Sequence, residues 1–317
     1  MALLSILVPC YNVVRYVRQC LSSIENQTVK DFEVIVIDDG SNDGTSAIID
    51  EFIEKDSRFK LLRKKNTGYG DSMNRGMAMA CGKYLGIVES DDWIEPRMFE
   101  LLIDKAQLFD LDLVRASYFF EKKSVSEKRK NYRISGQVID PSTNKTSFFC
   151  EPAIWCCLYK RQMLIENDVH FLPTPGAAFQ DTSFSFKSML FSKRVMLIDT
   201  PVYHYRIHDS NSVCSNYKNA FAVITECEEC FQTVKKEQRL EEFSEILYLL
   251  QFYRYKWNFK RLNKQLAEVF MEKWSQEWKE KSKTYPLCLI KNIRKRIYAY
   301  LIINHKEMMM FYLKNFK

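Results

Sequence analysis

The regular alternation of the first hundred residues constrains this chain more than any other feature. "LLSILVPCYN" reads as an apolar strand running into a polar loop, and "VRYVRQCLSSIENQ" follows with Val14, Val17, Leu21 and Ile24 at helical spacing. "FEVIVIDDGSNDGT" is a second strand, ending in acid and glycine. A helix ("SAIIDEFIEKD"), a short strand ("FKLLRKK"), a helix capped by Gly82 ("GDSMNRGMAMACG") and a further strand ("KYLGIVESDD") complete the series. Strands alternating with helices imply right-handed βαβ units, so the predicted class is α/β with a mixed, mostly parallel sheet and helices on both faces. Such sheets bind ligands at the carboxyl ends of their strands. Pro9–Tyr11, Asp38–Asp39 and Glu89–Asp92, far apart in sequence, are therefore predicted to line one edge.

The last of these strands poses a problem of charge. In "LGIVESDDWI" a buried-strand pattern over Leu85–Val88 runs straight into Glu89-Ser90-Asp91-Asp92, three carboxylates in four residues. Like charges this close repel, and burying them unpaired is costly. A metal ion, a basic side chain or water has to sit beside them.

Beyond residue 110 the pattern loosens. Short strands ("DLVRASYFF", "RVMLIDTPVYHYRI") stand around helices, and from Asn216 onward nearly everything is helical, with one stripe over Phe221, Ile224, Cys227, Phe231 and Val234 and another over Phe243, Ile246, Leu247, Leu250 and Tyr253. At 317 residues the chain is long enough for two domains. The predicted boundary falls within 210–220, giving a first domain over 1–215 and a helical one over 216–317.

The net charge of +7 is concentrated at one end: Lys279–Lys317 holds ten Lys/Arg and two Glu, a net of +8, leaving −1 for residues 1–278. A basic surplus confined to the tail argues against nucleic acid as a partner. The ten cysteines form no framework, since Cys156-Cys157 are adjacent and a lone Cys227-x-x-Cys230 has no second pair, so reduced thiols in a cytosolic protein are expected. "MALLSILVP" lacks the basic stretch of a signal peptide, and no run approaches the ~20 apolar residues that span a bilayer.

Taken together, "SILVPCYNVVRYVRQCLSSIENQTVKDFEVIVIDDGSNDGT" and the later S-D-D element resemble the family 2 glycosyltransferases of the GT-A fold, a Rossmann-like nucleotide-sugar-binding architecture. The resemblance covers about the first 210 residues. It implies an inverting, metal-dependent enzyme that moves a hexosyl or N-acetylhexosaminyl group from a UDP-sugar to a hydroxyl of a glycan or lipid-linked acceptor in cell-surface polysaccharide biosynthesis. Asp39 would then hydrogen-bond the uracil, with Asp38 left to cap the following turn. Pro9 and Tyr11 would line the base and ribose pocket, and Asn66, Gly68 and Arg75 in "NTGYGDSMNRG" would meet the diphosphate.

The same resemblance places Glu89-Ser90-Asp91 at the family's D-x-D position, with Glu89 where aspartate is commoner. Asp91, counted back from Pro96, aligns with the carboxylate that binds Mn²⁺ or Mg²⁺. Glu89 would reach the ribose or a metal-bound water, and Asp92 would cap the next element. Asp181 matches the carboxylate of the family's E-D element, here Gln180-Asp181; it is expected to act as general base, with an N-cap role as the alternative. "YHYRIHDSNSV" would close over the diphosphate, Arg206 contacting it and His208 binding metal or phosphate.

No G-x-G-x-x-G follows the first strand, which excludes a nicotinamide-dependent Rossmann enzyme, and no glycine-rich, lysine-bearing loop supports a nucleotidyltransferase. A nucleotide-sugar-binding protein without turnover stays open as the second class. In the tail, helical spacing puts Leu287, Ile290, Ile293, Ile297, Tyr300 and Leu301 on one face, with Lys291, Asn292 and Lys295 towards the other. Two outcomes suit that pattern. Residues ~282–317 dock on their own domain or on a second copy in a homo-oligomer, or they lie in the headgroup layer at the cytoplasmic face of an anionic membrane.

Overall fold

The computed structural model of the chain describes residues 2–122, 125–129, 132, 134–207 and 217–315. The chain divides into two compact units, Met1–Asn211 and Ser212–Lys317.

The first unit is built around β1 (Leu4–Cys10), every residue of which is buried. It pairs in parallel with β2 (Phe32–Asp38) on one side and β4 (Tyr84–Ile87) on the other, while β3 (Phe59–Arg63) extends the sheet beyond β2. The register sets Cys10 beside Asp38 and Leu7 beside Ile87, so the segment leaving β4 passes at the level of Pro9 to Tyr11. After β4 the sheet becomes mixed. Four further strands are β5 (Trp93–Ile94), β6 (Leu113–Lys122), β9 (Cys157–Lys160) and β10 (Val195–Arg206), in the order β3-β2-β1-β4-β9-β6-β10-β5. Two short strands, β7 (Val125–Lys128) and β8 (Val138–Ile139), pair with β6 and β10. The α/β class, the mixed sheet and the helices on both faces agree with the sequence reading.

Alternation along β1 decides which helix meets which face. Leu4, Ile6, Val8 and Cys10 share one core with α1 (Val17–Glu25), α2 (Thr45–Lys55) and α4 (Met98–Leu108), each burying a helical stripe such as Val17, Cys20, Leu21 and Ile24. On the other face Leu7 and Ile37 meet α3 (Tyr69–Met79) at Gly76, where a Cβ would stand 2.9 Å from the Ile37 side chain. The sequence reading ends this helix at Gly82. The helix instead stops at Met79, and Gly82 packs on β1, where a Cβ would lie 2.5 Å from the Ser5 nitrogen. Two further helices, α5 (Arg161–Glu166) and α6 (Gln180–Phe191), complete the unit.

The second unit is helical throughout its described length: α7 (Tyr217–Lys236), α8 (Leu240–Arg261), α9 (Lys264–Thr284), α10 (Ile293–Asn304) and α11 (Lys306–Asn315). Its core is aromatic, with Phe243, Phe252, Tyr255, Phe259, Phe270, Trp274 and Trp278 fully buried. Two buried polar pairs lie within it: the Trp278 indole donates to Gln251 (2.8 Å) and the Tyr255 hydroxyl to Glu277 (2.8 Å). The described cysteines are all free thiols.

One buried acid in β2 ties three parts of the first sheet together. Glu33 accepts from Ser5 in β1 (2.5 Å), from Lys60 in β3 (2.7 Å) and from the Cys81 backbone (2.8 Å). Burial works against its ionised form, but the donors on Cys81, Lys60 and Ser5 prevail and hold the carboxyl down at about 2. Folding therefore favours the deprotonated acid, a stabilisation present above about 4.5 and lost as pH falls towards 2. Glu33→Gln should flatten the acid limb of the urea-midpoint profile across that window and cost about 1–3 kcal/mol at neutral pH. An acid limb identical to wild type would assign that limb to other carboxylates.

Candidate active site

The loops leaving β1 and β2 are laced to each other. Asp39 N–H donates to the Cys10 carbonyl (2.9 Å), Asn12 N–H to Ser41 Oγ (3.1 Å), Asn42 N–H to Asn12 Oδ1 (2.9 Å) and Val13 N–H to Thr45 Oγ1 (2.9 Å). Pro9 is buried within β1, whereas Tyr11 stands 49% exposed at the rim. Asp38 accepts from Ser41 N–H (3.0 Å), Ser46 Oγ (2.5 Å) and Arg63 (3.3 Å), which closes the turn, as anticipated for it. These donors keep its carboxyl below the usual range in spite of its burial.

Asp39 is left for the loop before α3. Its buried carboxylate accepts from the backbone of Thr67 (3.0 Å) and Gly68 (3.1 Å) and from the Lys64 ammonium. An ionised carboxylate has about four acceptor positions, and these three donors leave one over. Lys64 is nearly buried and also pairs with Asp71 (3.2 Å), a role the sequence reading does not assign to it. Asn66 is exposed on the same loop, and Gly68 sits at φ +99° in close contact with Gly176, where any Cβ would lie 2.8 Å from a backbone nitrogen. Arg75 is half exposed and pairs with Asp71 (2.9 Å).

The acids after β4 have separate surroundings. Glu89 Oε1 accepts from the Tyr69 hydroxyl (2.7 Å) at the start of α3. Burial pushes the Glu89 carboxyl up to about 8; the Tyr69 hydrogen bond opposes the rise, and the charges of Asp91 and Asp181 add to it. Ser90 is buried between the acids. Asp92 does not cap a following element. It is 1% exposed and turned towards β10, accepting from the Tyr203 hydroxyl (2.8 Å) and from Arg206 N–H (2.7 Å). Tyr203 accepts in turn from Glu89 N–H (3.1 Å), so a single hydroxyl joins both ends of the acidic turn to the sheet.

Arg206 clasps the same turn from outside. Its Nε donates to the Asp91 carbonyl (2.8 Å) and its terminal nitrogen to Gln19 (2.7 Å), while the guanidinium lies 4.9 Å from the Tyr16 ring centre and 4.5 Å from that of Trp93. In this structure Arg206 is spent on holding Asp91 and α1. His204 is stacked between Trp93 (4.8 Å) and Phe119 (4.9 Å) and bonds Glu95 (2.8 Å) and Glu121 (2.7 Å). His208 lies outside the described residues.

Asp181 reaches this edge from almost a hundred residues downstream. Asn74 in α3 grips the Phe171 backbone through both of its amide atoms (2.8 and 2.9 Å), and Tyr69 N–H donates to the Gly176 carbonyl (2.9 Å). Gln180 fixes the intervening loop, accepting from Ala178 N–H (2.6 Å) and donating to Thr174 (2.9 Å). Phe171 then stacks on Phe184 of α6 at 3.9 Å. The N-cap of α6 is Phe179 and carries no side-chain cap bond, so the Asp181 carboxylate is not the cap. Its charge is felt at Glu89, Tyr69 and Tyr205. The sequence reading also passes over Tyr69, Asn74 and Tyr203; the G-Y-G within "NTGYGD" and the Y-H-Y of β10 are the signals that mark two of them.

Among the described residues no three His, Cys, Asp or Glu side chains stand together as a ready metal cage. The edge instead combines a glycine-shaped loop, a buried acid with one acceptor position left, and Glu89 within reach of the charges of Asp91 and Asp181. That combination suits a phosphate-bearing ligand with a cation better than it suits either one alone.

Comparison with known proteins agrees with this geometry. The family model described as glycosyl transferase family 2 matches residues 5–182. EpsH of Bacillus subtilis (strain 168) is 33% identical over 223 residues, 68% of this chain and 64% of that protein, so the chain spans less than two thirds of this relative's own length. The crystal structure of S. aureus TarS 1-349 superposes over 98% of this chain and 90% of its own with a TM-score of 0.65 at 17% identity; the same protein has been solved with UDP-GlcNAc. The mannosyltransferase PcManGT from Pyrobaculum calidifontis, in complex with GDP-Man and Mn²⁺, covers 99% of this chain and 87% of its own at a TM-score of 0.55 and 14% identity. At such identities the two structures speak for the fold, and the match over most of the first unit speaks for the lineage: this chain belongs to glycosyl transferase family 2.

Proposed function

We propose that the chain transfers a sugar from a UDP-sugar to an acceptor hydroxyl by a single, inverting displacement assisted by a divalent cation. The observation that carries this reading is the gathering of Glu89, Asp91 and Asp181 at the edge where Asp39 keeps one acceptor position. A carboxyl raised to about 8 by burial and by two neighbouring negative charges marks a place where added positive charge is favoured.

In this reading Asp39 takes the uracil on its remaining acceptor position, Pro9 and Tyr11 border base and ribose, and Asn66, Gly68 and Arg75 lie towards the diphosphate. Arg75 would have to exchange Asp71 for phosphate, a substitution of one anion for another. Asp91 would hold Mn²⁺ or Mg²⁺, with Glu89 and Ser90 beside it and donor phosphate oxygens completing the coordination. The cation supplies Lewis acidity that offsets charge on the departing diphosphate. Arg206 keeps Asp91 in place through its carbonyl, and any contact of Arg206 with the diphosphate would require leaving Gln19. His208 is retained as a further candidate for metal or phosphate. Asp181, on the rigid first turn of α6, would accept the acceptor's proton.

The complexes of TarS with UDP-GlcNAc and of PcManGT with GDP-Man and Mn²⁺ support a nucleotide sugar and a metal as the reagents. A glycan or lipid-linked acceptor and a role in cell-surface polysaccharide synthesis rest on the family resemblance, a cytoplasmic setting on the cysteine usage, and self-association on the apolar pattern of the tail. No helix among the described residues is long and apolar enough to cross a membrane.

Asp91→Asn should abolish transfer and most of the Mn²⁺-dependent binding of UDP while leaving the urea midpoint near wild type. Equal UDP binding by the wild-type protein in EDTA and in Mn²⁺ would count against the metal. Asp92→Ala, one residue on, should instead cost about 2–4 kcal/mol of stability, because it strands the Tyr203 hydroxyl and the Arg206 amide in a buried site.

Asp181→Asn should leave donor affinity close to wild type and lower turnover by a factor on the order of 10²–10⁴. Normal turnover in that variant, or a product that keeps the donor's anomeric configuration, would remove Asp181 from the base role. Donor binding without turnover by the wild-type protein would favour a binding protein over an enzyme.

A further inference from the structure

The last thirty residues are apolar on two sides. Helical spacing alone puts Leu287, Ile290, Ile293, Ile297, Tyr300 and Leu301 on one face, but the chain breaks that stripe. Leu287–Leu289 form a single 3₁₀ turn, Ile290 is buried ahead of the helix, and α10 begins at Ile293 behind an Asn292 cap. Inwards, α10 buries Ala299 and Ile302, and α11 buries Met309 and Leu313. Outwards, α10 leaves Ile293 60%, Ile297 49% and Tyr300 53% exposed. These three lie one turn apart on the side opposite Ala299 and Ile302. A Tyr298–Tyr312 hydroxyl contact (2.8 Å) holds α11 against α10, and α11 adds Met308 and Phe311, 54% and 65% exposed.

Charge indicates what covers it. α10 carries Arg294, Lys295 and Arg296 and no acid, whereas Lys281, Lys283 and Lys306 are paired with Glu277, Glu280 and Glu272, and Glu307 opens α11. Arg294 and Arg296 flank the outward stripe on either side at helical spacing, Arg296 also donating through Nε to the Ile290 carbonyl (3.0 Å), and Lys291 precedes it. Lys295 is engaged elsewhere, its ammonium 4.6 Å from the ring centres of Phe252 and Tyr253. A second copy docked by a twofold axis passing through α10 would bring its cations against themselves. A surface that is apolar below and anionic above suits both the stripe and its flanks.

We infer that the outward face of α10 and α11 docks on an anionic lipid bilayer, with Ile293, Ile297, Tyr300, Met308 and Phe311 in the headgroup layer and Lys291, Arg294 and Arg296 against lipid phosphates. The inference rests on this surface and not on the identity of the donor. Deleting the tail is no test, since Ile290, Ile302, Met309 and Leu313 belong to the helical core. Point changes on the exposed side are the suitable probe.

The full-length chain should co-sediment with vesicles of equal parts phosphatidylcholine and phosphatidylglycerol, and not with phosphatidylcholine alone, and salt should weaken the binding. Ile293→Ser with Ile297→Ser should lower partition by at least about tenfold at an unchanged melting temperature. Arg294→Glu should lower it by more than the roughly fivefold expected for loss of one basic residue. Binding to neither vesicle, equal binding to both, or variants that partition like wild type would overturn the inference. If the same substitutions abolish a dimer seen by sedimentation and leave partition unchanged, the face joins two copies instead. Hydrolysis of the soluble donor by these variants, measured alongside, reports separately on the transferase reading.

Discussion

Negative charge brought to the end of a buried parallel sheet has to be held by donors or neutralised, and the first unit is organised around that requirement. Asp38 and Asp92 are fully enclosed and serve the protein itself. Asp38 closes the turn after β2, and Asp92 ties the acidic turn after β4 to β10 through Tyr203 and Arg206. Both have all of their donors within the chain. Asp39, the second acid of the β2 pair, and Glu89, the first of the β4 cluster, are held instead by the loop before α3 and by Tyr69. Neighbouring acids thus have different partners: Asp38 bonds the turn that follows it, and Asp39 bonds the loop before α3.

Close backbone approach makes the edge complete. A Cβ at Gly70 would stand 1.9 Å from the Leu172 carbonyl, and Gly68 presses closely on Gly176. These contacts, with the Asn74 clasp on Phe171, lay the 171–176 segment along α3. Gln180 and the Phe171–Phe184 stack then deliver α6 with Asp181 at its first turn. The glutamine that departs from the family's acidic pattern is therefore the residue that fixes the loop beside the proposed base.

The helical unit solves a different problem with the same alphabet. Trp274, Trp278 and four buried phenylalanines form an inner core that uses one side of α10 and α11, and the other side leaves Ile293, Ile297, Tyr300 and Met308 about half exposed. Helical spacing reports that a stretch is apolar on a face. It does not report where a helix starts, and a shift of the start from Leu287 to Ile293 moves Ile290 into the core and Ile297 out of it.

The alternation of apolar strands with helical stripes determined the α/β class and the parallel core of β1 to β4, because those patterns are local and repeat over short windows. The strand-end rule then located Asp39, Glu89 and Asp91 at one edge, and the helical character of the last third was equally open to reading. Side-chain partners were not, since hydrogen bonding joins residues with no sequence relation: Asp92 finds Tyr203, Asp39 finds Lys64, and Arg206 folds back on Asp91 and Gln19. Whether an arginine at a strand end faces a ligand or clasps a turn depends on what lies within about 3 Å of it, a tertiary fact. The end of α3 shows the same limit on a smaller scale. Gly82 reads as a helix cap, but the space it fills lies against Ser5, and only the packed sheet makes that space too small for any other residue.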